Sequence, residues 1–229
     1  IFHLNPRLYG YKGEEISSAG IAYLLARTLS SYNQEVKKLS KYAIIGALGD
    51  NQDVGEKRSL TGLNSLILKD GESEGIIEVK LDLLLPGKES KPLYQALAET
   101  YRPLLPGITN SLEGALNFIQ SIGLGVGRLD LENIMLEDLN EDQKALLIER
   151  LVERITLSLG DRITVEKIKD LLIGYSYILS DEPKGATRDA REFATILNAC
   201  GKLGKPEIGL ALILGDRGEF LDQALSMYK

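Results

Sequence analysis

Two spacings of apolar residues recur along the chain. A repeat near 3.6 marks amphipathic helices, and alternation or a short apolar run marks strands. Residues 2–13, FHLNPRLYGYKG, show neither; Asn5-Pro6, Gly10 and Gly13 make the stretch an irregular loop. Ser17-Ser18 then offer capping hydroxyls to a helix predicted over 19–29. Gly20 and Ala22 leave little bulk near its start, so a second backbone can come close. Tyr32-Asn33 interrupts the pattern, a second helix is predicted over 34–48, and SLTGLNSLILKDG, residues 59–71, predicts a short third helix stopped by Gly71.

Residues 75–85, GIIEVKLDLLL, are partly alternating and predict a strand ended by Pro86-Gly87. PLYQALAETY, stopped by Pro103, and SLEGALNFIQSIG, with Ser111 as cap and Gly123 at its end, follow as helices. The glycines at 123–127 mark a hinge or linker, which divides the chain into 1–125 and 126–229. The longest amphipathic helix is predicted over 139–159. Asn140 caps it, Glu141 and Asp142 fill its first turn, Leu146, Leu147, Leu151, Ile155 and Leu159 line one face, and Glu149/Glu153 face Arg150/Arg154. A helix over 164–172, a strand GYSYIL, a loop SDEPKGAT, a helix RDAREFATILNACGKLG, a buried strand EIGLALILG and an amphipathic helix over 217–229 complete the chain. Strand, loop, helix, strand, helix is an α/β order, so the expected class is α/β and helix-rich.

Composition narrows the chemistry. The 229 residues suffice for one large domain or two small ones with a sizeable core. One cysteine, Cys200, excludes a disulfide framework or a cysteine metal cluster within the chain, and one histidine, His3, excludes a histidine-rich zinc site. The cysteine usage fits a reducing cytoplasm. No apolar run reaches the roughly 20 residues of a bilayer span, so no membrane partner is expected. The chain opens without methionine, which suggests a fragment.

Net charge is −6, against a general nucleic-acid coat. The ends differ from the middle, however: residues 1–49 carry six bases and three acids, 184–206 five and two, and 130–160 three and eight, giving +3, +3 and −5. That distribution suits a phosphate groove at the ends and a partner surface in the middle; solvated helix faces would look the same.

Residues 40–53, SKYAIIGALGDNQD, form the centre of the reading. Ala43, Ile44, Ile45, Ala47 and Leu48 make a buried run that ends in Gly49, and Asp50 follows. A carboxylate placed there would sit rigidly at the mouth of a core, open to a ligand, as a metal-binding oxygen must. The plainer alternative is that Gly49 is a helix C′ residue and Asp50 opens a turn. Cys200 reads as a small core residue and His3 as a loop residue.

NPRLYGYKGEEISSAGIAYLLARTL followed by AIIGALGDNQD resembles the DHH phosphoesterase superfamily just downstream of its DHH motif. Its archaeal RecJ-like branch, which includes a nuclease associated with the GINS replication complex, is the nearest; RDAREFATILNACGKLGKPEIGLALILGDR looks like a later block of that branch. Residues 128–170 carry no such motif. The resemblance implies the later part of a DHH domain over 1–125, then a connector and part of a DHHA1-like substrate-binding domain over 126–229. It also implies an exonuclease of DNA replication and repair that cleaves single-stranded DNA or RNA with two Mn²⁺ or Mg²⁺ ions, with the GINS complex as a further partner. Asp50 matches the family's fourth-motif aspartate, a metal ligand with a catalytic role. The aspartate-rich early motifs, the DHH itself and the GGGH motif are absent from these 229 residues, so this polypeptide by itself is expected to be inactive. Two alternatives stand beside the nuclease: a non-catalytic replisome scaffold, and a small-molecule phosphodiesterase or pyrophosphatase.

The later block also bears on substrate. Arg188 and Arg191, three apart on a predicted helix, would share a face and reach one phosphate, with Asn198 seven beyond Arg191 on a similar face. The alternative pairs both arginines with Asp181, Asp189 or Glu192 and has Asn198 cap a backbone turn.

Overall fold

A computed structural model describes residues 3–31, 33–125 and 128–228. The fold is helix-rich α/β, as expected, and its sheet has two antiparallel strands. The chain forms two compact units. One takes the stretch up to Lys80, Ser176–Pro183 and the chain from Thr187 on; the other takes Leu81–Tyr175 and Lys184–Ala186. The second is thus inserted between two lengths of the first.

The first unit opens with α1 (Ser18–Leu29), α2 (Gln34–Lys37), α3 (Ser40–Gly49) and α4 (Gly62–Ser73). Ser17 caps α1 by accepting from Gly20 N at 3.0 Å. The helix predicted over 34–48 is two helices, because the backbone turns at Lys38-Leu39 and restarts at the buried Ser40. Helix α3 is apolar on all sides: Ala43, Ile44, Ile45, Ala47 and Leu48 are all buried. Such a helix must be surrounded, and α1, α4 and a later helix pack on it. Gly46 permits this, since a Cβ there would lie 2.7 Å from that of Ala19. Gly71 does not stop α4, which runs on to Ser73; its bare backbone admits Ile77, and Gly75, at φ 69°, ends the helix instead.

Strand β1 (Ile77–Leu83) leads into the second unit. There α5 (Leu93–Ala98), α6 (Leu112–Ser121), α7 (Arg128–Asn133), α8 (Glu141–Leu159) and α9 (Val165–Leu172) follow. Ser111 and Asn140 cap α6 and α8 as read from the sequence, and Thr164, expected inside α9, is its cap. One core gathers Leu97, Ile119, Leu124, Leu131, Leu147, Leu151 and Ile155. Leu124 and Leu131 join the same core, and residues 125 and 128 lie in the same unit. The expected division at 125/126 is therefore not where the compact units part; Val126 and Gly127 of the expected linker lie outside the described residues. Leu159 leaves the apolar face of α8 and is 39% exposed. Arg150 bonds Glu153 at 2.7 Å, while Arg154 stacks over the Phe118 ring.

Strand β2 (Ile173–Leu179) returns the chain to the first unit, which closes with α10 (Ala190–Lys202), α11 (Pro206–Ile213) and α12 (Glu219–Tyr228). Helix α11 corrects the expected buried strand EIGLALILG. A short apolar run fits either element, and Pro206 at the first helical position favours the helix. Burial follows a helical spacing, with Ile208, Gly209 and Leu212 inward and Leu210 and Leu214 exposed.

A buried ion cluster ties loop 180–187 to the turn after α11. Glu182 accepts from Arg217 Nε and Nη2, each at 2.7 Å, and from Thr187 Oγ1 at 3.0 Å. Lys41 lies 3.5 Å away. Burial by itself would raise the Glu182 carboxyl, but Arg217, Thr187 and Lys41 together hold it below the usual carboxylate range. Its stabilising contribution is therefore full above the unfolded value of about 4.3 and is lost as pH falls through the lower folded value. Glu182→Gln should cost about 2 kcal/mol in urea unfolding at pH 7, less than a fully buried pair because 19% of the Arg217 side chain stays exposed. The wild type should lose stability more steeply than this variant below about pH 4; identical pH slopes would contradict the assignment.

Candidate functional site

Helix α3 does not end at Gly49 in the expected way. Asp50 is the C-cap, and Asn51, at φ 55°, is the left-handed C′ residue. Asn51 N donates to Leu48 O at 3.0 Å and Gln52 N to Ala47 O at 2.9 Å, a Schellman closure. Asp50 is exposed at the C-terminal pole of α3, where the helix dipole favours a cation. Gly49 has a different task. A Cβ there would lie 3.5 Å from the Asn198 amide, an ordinary contact distance, so α10 packs directly against the end of α3. Asn198 Nδ2 donates to Gly49 O at 3.0 Å and satisfies a terminal carbonyl of α3.

Asp189 caps α10 by accepting from Arg191 N at 2.8 Å and Glu192 N at 3.2 Å. Phe193, Ile196 and Cys200 point into the core. Arg191, Thr195, Asn198, Ala199 and Lys202 share the other face, which together with Leu48, Gly49, Asn51, Arg58 and Tyr228 lines a cleft of about 500 Å³. The sevenfold spacing of Arg191 and Asn198 thus places both in one hollow. Arg188 is a correction: it precedes the cap, its carbonyl accepts from Leu179 N at 2.8 Å, and it shares no helical face with Arg191 and is not among the cleft residues. The Arg191 guanidinium has a partner that was not considered from sequence. It bonds to Asp53, whose carboxylate is 1% exposed and also accepts from Arg58 Nε at 2.9 Å and Nη2 at 3.1 Å.

Arg58 sits on a tight loop in which Lys57 and Arg58 both adopt left-handed backbone, with φ of 52° and 63°. Such residues cost about 1 kcal/mol or more each and persist where neighbours hold them. The hold is the buried Tyr177 hydroxyl, which accepts from Leu60 N at 3.0 Å and donates to Arg58 O at 3.2 Å. Sequence reading missed Asp53, Arg58, Thr195 and Lys202. Lys202 was legible as eleven residues beyond Arg191 on one face; no periodic signal marks Arg58.

Arg58 and Arg191 meet on the buried Asp53 carboxylate, and both line this cleft together with Lys202, Asn51 and Asn198. That arrangement suits an anion with several acceptor oxygens. It does not complete a metal site. Among the described residues no group of three or more His, Cys, Asp and Glu could hold an ion. Asp50 offers one carboxylate, Asp53 is engaged by two arginines, and the Gly49 carbonyl by Asn198. His3 is exposed in the N-terminal loop. Cys200 is buried, and burial pushes its thiol up, as befits an inert core residue. No helix among the described residues is long and apolar enough to cross a membrane.

The fold and cleft define a helix-rich α/β protein with a cation-lined cleft in its first unit. Residues 85–172 match the family model of the DHH-CID domain, which relates the chain to the DHH family of phosphoesterases and nucleases without indicating a branch. No curated protein matches the chain. The match coincides with the second unit and covers the stretch 128–170, where no motif was visible in the sequence.

Because Asn51 must hold a left-handed backbone, Asn51→Ala should destabilise the protein by about 1 kcal/mol in urea unfolding, and Asn51→Gly should be neutral or stabilising. Equal effects of the two would contradict the role of Asn51 as the α3 stop.

Proposed function

We propose that this chain is part of a DHH-family phosphodiesterase acting on single-stranded nucleic acid, and that the α3–α10 cleft grips a phosphate of the strand. One observation carries the proposal: two arginines, a lysine and two side-chain amides converge on one hollow beside the exposed Asp50. Guanidinium forks match phosphate oxygens, and a lysine adds a point charge without base selectivity. The match of residues 85–172 supports the family relation. The exonuclease activity, the archaeal RecJ-like branch and a GINS partner rest on the two sequence blocks alone.

Asp50 is the residue proposed to face Mn²⁺ or Mg²⁺, since a carboxylate oxygen suits a hard cation. It is one ligand, and a two-ion centre needs several. The contribution read from these residues is therefore to bind and orient the strand: Arg191, Lys202 and Asn198 fix a phosphate next to Asp50.

Fluorescence anisotropy of a labelled single-stranded oligonucleotide tests this between about 50 and 200 mM salt. Arg191→Ala/Lys202→Ala should weaken binding about tenfold or more at low salt. It should also flatten the plot of log affinity against log salt by roughly 0.7, the value for one single-strand phosphate. An unchanged slope would overturn the proposal.

A further inference from the structure

Asp53 is the least exposed carboxylate among the described residues, at 1%. Two guanidiniums from distant parts of the chain meet on it, Arg58 from the loop after α3 and Arg191 from the first turn of α10. Charge neutralisation needs only one of them. The second costs a loop with two left-handed non-glycine residues, held by the Tyr177 hydroxyl. Both arginines also line the cleft, with 46% and 27% of their side chains exposed. A buried carboxylate that spends its charge on two half-exposed guanidiniums leaves a net positive charge and fixes the planes of both.

We infer that Asp53 is a positioning residue that aligns Arg58 and Arg191 as a matched pair, and that Arg58 contacts the same phosphate of the strand as Arg191. This rests on the phosphate-binding reading above. It adds a residue that helical spacing does not reveal and gives the two arginines a joint action. Acting as a pair, they lose most of their joint contribution when either is removed, because a lone guanidinium on Asp53 is neutralised by it.

The test is a double-mutant cycle on single-strand binding, with thermal unfolding of each variant alongside. Arg58→Ala and Arg191→Ala should each weaken binding about tenfold and flatten the salt slope. The double variant should be no more than about threefold worse than either, instead of the hundredfold that independent action gives. Asp53→Asn, where it folds, should reproduce the loss in affinity at temperatures below its unfolding transition. If Arg58→Ala keeps wild-type affinity and slope while Arg191→Ala does not, the phosphate site stands and this inference fails. Multiplicative losses in the double variant, or an Asp53→Asn protein that unfolds earlier yet binds as the wild type does, also overturn it. Should Arg191→Ala itself bind with unchanged affinity and slope, the phosphate-binding reading fails, and this inference with it.

Discussion

The first unit depends on how closely helices can approach α3. That helix presents apolar residues on every side, and two of its positions carry no side chain. At Gly46 the bare backbone admits Ala19 of α1; at Gly49 the carbonyl accepts from Asn198 of α10. The second approach is the one with functional consequences. It sets an amide from near the end of the chain against the terminal carbonyl of a helix some 149 residues earlier, at 3.0 Å. Asp50, Asn51, Arg191 and Lys202 come into one neighbourhood because of that contact.

The cleft is built against electrostatic cost. Arg58 and Arg191 repel one another, and the protein answers with the Asp53 carboxylate buried between them, whose charge offsets part of the repulsion. The left-handed loop at Lys57 and Arg58 is the conformational cost of placing the second arginine, and the Tyr177 hydroxyl meets it from β2.

What the sequence disclosed follows from which forces are local. Ser17, Ser111 and Asn140 cap the helices that their positions predicted, because a cap acts within one turn. Arg191 and Asn198 were legible as a face because α10 is regular between them. Arg188 was misjudged for the converse reason: Asp189, one residue later, takes extended backbone to cap the helix and so ends the regular spacing. Asp53 and Arg58 were invisible, since their pairing depends on a loop that no periodicity describes. EIGLALILG read as a strand because apolar runs are ambiguous, and Pro206 was the local sign that should have decided it. The middle of the chain carried no motif by eye, yet its match to the DHH-CID domain is the clearest family signal. There the information lies in a pattern of core positions such as Leu97, Phe118, Leu147 and Leu151, spread thinly over many residues.

Amide chemical-shift mapping with a short 5′-phosphorylated single-stranded oligonucleotide tests whether the strand binds at the α3–α10 cleft. The largest shifts should fall at Gly49 to Asn51, at Lys57 and Arg58, and along Arg191 to Lys202. Saturable shifts concentrated elsewhere, with those amides unmoved, would contradict it.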